Sequence, residues 1–472
     1  MNKLIWIVVL LLYAILINIY TLGVSFPDFE TLRAMGSWGI GLLLLCIISW
    51  HHSGKELISP YIFFLIALFI FSYGQSLLYT FDLISERRDL IGQRGVTIPQ
   101  IYEAQKATIY MLIAFHIGAL FVDLIRKKQT INTAITEEGP IYINGIQALK
   151  KIGITLFVVS FIPYFYELIH NMIISITLGY VALYEGKVKI GFANSLSFIA
   201  DLFIPSLICL FVAFKDNKRI IRIIYGLSGF IILSILITGG RTEAVILLSL
   251  IILLRHIVIK NFNKKELFII AIVGCFTLSA LTIIGNTRTQ KHRNLDSFTS
   301  VNEKHNQNAA VDAIAEMGWS MFPLIKTQGI VPENQEYRYG KSYLYSLTTL
   351  IPNMGFWEIH PAKKEANLSS WLSRTLNASF GTGYSMCAEA YINFGPYAPI
   401  MMLILGMAIS FVLSGFSSQN NKNIPFLIFS IIIFWFCLKL PRNSFIGIVR
   451  SIFFYTLPIY LYIKYKIAKS IN

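Results

Sequence analysis

Residues 4–24 read LIWIVVLLLYAILINIYTLGV, a stretch without a single charged side chain. A helix that crosses a bilayer needs about 20 mostly apolar residues, because each adds 1.5 Å against a hydrocarbon core roughly 30 Å thick. The stretch meets that length and ends without a small-residue cleavage site, so it reads as a retained anchor. The same ruler finds further apolar runs near 36–50, 58–80, 107–125, 151–178, 195–214, 221–239, 242–259, 267–285, 396–416, 424–440 and 444–463. The expected fold is all-α, a polytopic transmembrane helical bundle of about twelve helices.

Composition agrees. Of 472 residues, 55% are hydrophobic and 14% charged, whereas a soluble domain carries about 25% charged residues. A net charge of +15 would suggest nucleic acid in a soluble chain. Here the basic residues gather in alternate short loops. They are Lys55, then Arg126, Lys127, Lys128, Lys150 and Lys151, then Lys215, Lys218, Arg219 and Arg222. Arg255, Lys260, Lys264 and Lys265 follow, with Lys422, Lys464, Lys466 and Lys469 toward the end. With twelve spans all fall on one side, which the positive-inside rule makes cytoplasmic, together with both termini. No nucleic-acid motif occurs, and none of that partner class is expected. Cys46, Cys209, Cys275, Cys387 and Cys437 are scattered in or beside apolar runs, the pattern of small buried hydrophobes rather than of a disulfide framework or metal site.

The spans divide the chain into residues 1–285, nine transmembrane helices with short loops; 286–395, a large extracytoplasmic loop; and 396–472, three further helices and a cytoplasmic tail. A loop of that length is functional or disordered as a rule. This one holds Trp319, Trp357 and Trp371 and the apolar stretches Ala313–Ile325 and Tyr343–Ile351. Short interfacial helices, ordered as a substrate-binding and catalytic cap, are therefore expected.

Charges outside the positive-inside pattern mark the candidate site. Arg241 stands in Gly239-Gly240-Arg241-Thr242-Glu243, between two spans with almost no loop. Arg442 lies in Leu440-Pro441-Arg442-Asn443, and Arg450 about two turns deeper in the last span. Arg288 follows the ninth span, while Arg338 and Arg374 belong to the long loop. Each arginine alone is satisfied by snorkelling to lipid phosphate. Gathered in one cavity they suit a diphosphate, whose oxygens the planar guanidinium grips in pairs. Glu389 sits at the mouth of an apolar helix, where an unpaired carboxylate is costly. The plain reading pairs it with a nearby arginine; the sharper one makes it a base for an incoming hydroxyl. Asp28 and Glu30 have the spacing of a metal-binding acidic pair, a weak signal on three residues, and no other stretch resembles a metal, nucleotide or cofactor site.

With those residues in view, the chain resembles the Wzy-type O-antigen and capsule repeat-unit polymerases. The matching pieces are Gly239–Glu243 opening a span, Tyr339-Gly340-Lys341-Ser342-Tyr343 leading to Ile351-Pro352-Asn353, and Gly381–Gly395. The last follows the pattern G-x-G-x-S-x-x-A-E-x-Y-x-N-F-G. These motifs cover roughly residues 225–450; the first half matches in hydropathy alone. The resemblance implies a metal-independent membrane glycosyltransferase of the bacterial inner membrane, without cofactor, its site facing the periplasm. Its donor and acceptor would be undecaprenyl-diphosphate-linked oligosaccharides, with membrane lipid and a chain-length regulator protein as further partners. On that footing Glu389, Arg241, Arg288 and Arg442 are the expected catalytic residues. Arg338, Tyr339, Tyr343, Arg374, Asn393 and Arg450 are expected to bind substrate. An O-antigen ligase-like transferase and a non-enzymatic flippase for lipid-linked sugars are the competing readings.

Overall fold

The computed structural model describes residues 2–84, 89–125, 139–183, 197–270, 272, 274, 309–353, 355–378, 381–417 and 422–470. Among them every regular element is helical and no strand occurs. Among the described residues ten helices are long and apolar enough to cross a membrane: Lys3–Leu22, Phe29–His52, Pro60–Tyr79, Ile98–Val122, Pro140–Thr177, Lys218–Thr238, Arg241–Ile259, Met386–Leu413, Ile424–Arg442 and Ile446–Lys469. Of the twelve expected spans, the sixth is the shorter apolar helix Ser197–Ala213. The ninth, near 267–285, falls largely outside the described residues.

Several helices start earlier than hydropathy implied, because polar residues in their leading turns are satisfied by protein rather than by lipid. The second begins at Phe29: the Asp28 carboxylate accepts the Thr31 N–H at 2.8 Å, and Asp28 N–H returns a bond to the Thr31 hydroxyl at 3.3 Å. This capping box satisfies donors that a helix start leaves open. The fourth begins at Ile98, where Glu103 pairs with Lys106 at 2.7 Å and the Gln105 amide donates to the Leu32 carbonyl at 3.3 Å.

The chain forms two compact units. The first comprises Met1–Asn132, Ile314–Ser414 and Phe436–Phe453. Its centre is the packing of Ile98–Ile125 against Ala398–Leu413. The backbones approach so closely that a methyl group on Gly118 would lie 2.1 Å from the Leu403 carbonyl oxygen, and one on Gly406 2.0 Å from that of Phe115. Small residues drive this contact where lipid removes the hydrophobic incentive for helices to associate. Gly406→Val would force the helices apart, so it is expected to cost upward of about 1–3 kcal/mol. Its yield of monodisperse protein in detergent checks this, and wild-type yield would refute it. One buried polar knot ties the same bundle. The His116 ring meets the Ser49 hydroxyl at 2.8 Å and the Tyr61 hydroxyl at 2.7 Å, so both ring nitrogens are satisfied, as burial requires.

The second unit comprises Thr133–Ala313, Gly415–Trp435 and Phe454–Asn472. Pro140–Thr177 packs on Phe203–Ala213 and Lys218–Thr238. Phe203 stacks on Tyr164 at 4.3 Å and is flanked by Phe157, Phe161 and Phe165. The Ser175 hydroxyl donates to the Thr238 carbonyl at 2.7 Å. The chain turns at Gly239 and Gly240 and starts the next helix at Arg241.

Candidate active site

Ser385 opens the helix Met386–Phe394, its hydroxyl accepting the Ala388 N–H at 3.3 Å. The helix closes at Gly395, whose φ of +53° and position leave no room for a side chain: a methyl group would sit 2.4 Å from the Tyr337 ring. Residues 337–339 lie against this last turn. Arg338 N–H donates to the Ile392 carbonyl at 2.9 Å and Tyr339 N–H to that of Asn393 at 3.0 Å. The chain then turns at Gly340 into the helix Lys341–Ser346.

That clasp brings three segments to one carboxylate. Glu389 is 1% exposed. One oxygen accepts the Ser342 hydroxyl at 2.7 Å, the other the backbone N–H of Phe445 at 2.5 Å. The Asn393 amide donates to the Ser342 oxygen at 2.8 Å and to the Glu389 carbonyl at 2.7 Å. The Ser342 hydroxyl therefore passes a hydrogen bond from Asn393 to Glu389. Such charge-assisted bonds are stronger than neutral ones, and they offset part of the desolvation cost of a buried carboxylate.

The plain reading of Glu389 pairs it with an arginine; its hydrogen-bond partners among the described residues are a hydroxyl and a backbone amide, and Arg338 acts on it as a nearby charge. The nearby arginine has another acidic partner. Arg338 bonds the Glu365 carbonyl, approaches its carboxylate at 3.6 Å and lies over the Trp371 ring at 5.4 Å. Its side chain is 15% exposed. Burial lowers its pKa and the Glu365 charge raises it, and a guanidinium stays charged through either effect. Trp371 is itself fixed, its indole N–H donating to Gln335 at 2.9 Å.

Beside this group lies Tyr343. Its ring is parallel to that of Phe394 at 6.3 Å and edge-on to that of Phe445 at 5.5 Å. Among the described residues its buried hydroxyl has no hydrogen-bond partner, and burial, with Glu389 nearby, holds its pKa well above the usual phenol value. Tyr339 is 70% exposed and adopts φ +47°, a left-handed conformation costly for a residue with a Cβ.

The expected site residues divide. Glu389, Asn393, Arg338 and Tyr343 meet, with Tyr339 at the rim. Arg374 is exposed on Leu368–Thr375, near enough for its charge to act on Arg338. Arg442 and Arg450 are exposed in the same unit, and Arg442 stands three residues before Phe445. Arg241 belongs to the second unit. Arg288 lies outside the described residues. Asp28 is the helix cap described above, and Glu30 pairs with Arg33 at 2.9 Å. Three contributors were not anticipated as such. Ser342 stands in a quoted motif without a role, Phe445 acts through its backbone, and Glu365 carries no sequence signal. Ser342→Ala would leave one buried Glu389 oxygen without its donor, a loss of about 1–3 kcal/mol. Thermal unfolding of the detergent-solubilised protein should show a lowered midpoint, whereas an unmoved midpoint would mean that the bond is not made.

The fold and this group of residues define a class: a polytopic, all-helical membrane protein with a buried, oriented carboxylate and an arginine close by. The family model for the O-antigen polysaccharide polymerase Wzy matches residues 3–471, nearly the whole chain, and the protein belongs to that family. No curated protein and no solved structure matches it. It is a multi-pass inner-membrane enzyme of polymerase and glycosyltransferase type, and its reaction is the polymerisation of lipid-linked O-antigen repeat units.

Proposed function

We propose that the cluster around Glu389 is the polymerisation centre and faces the outer side of the membrane, with residues 286–395 forming its cap. The growing chain would leave undecaprenyl diphosphate for a hydroxyl at the non-reducing end of the incoming lipid-linked repeat. Breaking the anomeric C–O bond develops positive charge on the sugar and negative charge on the diphosphate. Glu389 takes the proton of the acceptor hydroxyl as the new C–O bond forms. The diphosphate leaves with the bonding electron pair, stabilised by cations fixed in a site of low dielectric. Arg338 is assigned to that charge, with Arg442 as a further diphosphate ligand and Arg374 and Arg450 in reserve. The observation that carries the reading is the carboxylate itself: buried, held by Ser342 and Phe445, and beside a Tyr343 hydroxyl that has no hydrogen-bond partner among the described residues. That hydroxyl is assigned to a substrate oxygen. Asn393, whose amide is engaged by Ser342 and Glu389, acts as a positioning residue.

The purified protein, given undecaprenyl-diphosphate-linked repeat units, should build a ladder of polymer that a chelator does not abolish. Loss of the ladder with chelator would favour a metal-dependent transferase. Tyr339 gives a finer test. Glycine there adopts φ +47° freely, so Tyr339→Gly should hold or raise the melting temperature. If the exposed ring packs on a sugar, the same variant should raise KM for the lipid-linked repeat severalfold. An unchanged KM would remove Tyr339 from the substrate site.

A further inference from the structure

A second concave site lies in the second unit. An open recess of about 740 Å³ is lined by Lys150, Lys218, Arg219 and Arg222, with Asp216 the single acidic residue among its described lining. Lys150 comes from the helix Pro140–Thr177, the other three cations from the start of Lys218–Thr238, and these helices pack together. The recess is formed by side chains more than by a helix terminus, because the Asn217 side chain already accepts the Arg219 and Ile220 N–H groups at 3.1 and 3.2 Å. Two contacts steady its walls. The Lys150 ammonium lies 5.1 Å from the Phe214 ring centroid, and Arg222 Nε donates to the Lys218 carbonyl at 3.2 Å. Four cations in a recess of this size call for a multiply charged or phosphate-bearing anion.

What lies below the recess indicates the source of that anion. Residues three or four apart share one face of a helix. Arg219 heads such a stripe, continued by Ile223, Phe230, Leu233 and Ile237, all exposed on the protein surface. Lys150 heads another, continued by Ile154, Val158 and Ile162, the last 75% exposed. Both helices are long and apolar enough to span a membrane, so these stripes face acyl chains. Each stripe thus starts at a cation of the recess and runs into the bilayer. We infer that the recess binds the phosphate headgroup of an anionic phospholipid, whose two acyl chains lie along the two stripes. A free phosphate would engage the same cations and leave the stripes unused. The cytoplasmic position expected for these loops places the recess at a leaflet surface where basic clusters recognise anionic lipid.

Native mass spectrometry of the detergent-solubilised full-length protein tests this, with phosphatidylglycerol and phosphatidylcholine titrated separately. Phosphatidylglycerol should be retained preferentially. Arg219→Gln alone should weaken it about fivefold, the effect of one surface cation on anionic lipid. The triple variant Lys150→Gln, Arg219→Gln, Arg222→Gln should erase the preference, and the corresponding Arg→Lys variants should keep it. If the triple variant fails to fold, the single variant decides. Excess inorganic phosphate should leave the bound lipid in place. Equal retention of the two lipids, or an unaffected Arg219→Gln protein, would overturn the site. Displacement of lipid by inorganic phosphate would reassign it to a soluble phosphate ligand. None of these readouts depends on polymerase activity, so the inference stands or falls apart from the catalytic proposal.

Discussion

Glu389→Gln should slow polymerisation by about 10²–10⁴-fold, the contribution of a positioned general base, while the protein folds and inserts normally. Glutamine has the shape of glutamate and can keep most of its contacts. Its carbonyl can accept the Phe445 N–H, and its amide can donate to the Ser342 oxygen, which already accepts the Asn393 amide at 2.8 Å. The Ser342 proton then loses its acceptor, a modest cost. What glutamine cannot do is take a proton from a sugar hydroxyl. If the carboxylate were only a structural clasp across three segments, the rate would fall no further than the modest loss of stability explains. If it is the base, the rate falls far more than the melting temperature. A variant that folds and polymerises within a few-fold of wild type would remove Glu389 from the chemistry.

The second large effect is expected at Arg338. Removing one preorganised donor from a developing oxyanion costs about 10²–10³-fold in rate, and Arg338→Ala should fall in that range. The lysine variant is the informative comparison. It keeps the charge but loses the planar fork and the guanidinium's stacking over Trp371. A lysine variant well below wild type, but above alanine, would indicate paired recognition of phosphate oxygens. Lysine activity equal to wild type would mean that charge alone suffices. Rates should be compared at matched protein levels, because Arg338 also bonds Glu365 and its loss frees that carboxylate.

Most of the helices were legible because lipid imposes a simple rule on sequence: an apolar run long enough to cross must be a helix with its backbone bonds made internally. The rule misplaces ends such as Phe29 and Ile98, where polar residues in the leading turns are satisfied by Asp28, by the Gln105 bond to Leu32 and by the Glu103–Lys106 pair. Glu389 was legible for a related reason, since a carboxylate beside an apolar span must be paired for. Its partners were not legible. Ser342 is 47 residues away and Phe445 56, and a backbone amide looks the same in every residue type. For Arg338 the sequence marks a cation in a polar stretch but not Glu365, 27 residues on, which meets it. Asn393 illustrates the remaining gap. Its motif position marks it, yet only packing shows its amide turned inward toward Ser342 and the Glu389 backbone.

The most direct measurement is a gel of surface polysaccharide from a deletion strain complemented with wild type, Glu389→Gln or Arg338→Ala, each at confirmed membrane levels. The expected pattern is a single repeat unit in the deletion, a full ladder with wild type, and single or very few repeats with either variant. Full ladders from both variants would contradict the Glu389-centred mechanism. Absence of all surface glycan in the deletion, with lipid-linked repeats accumulating inside, would instead indicate a flippase.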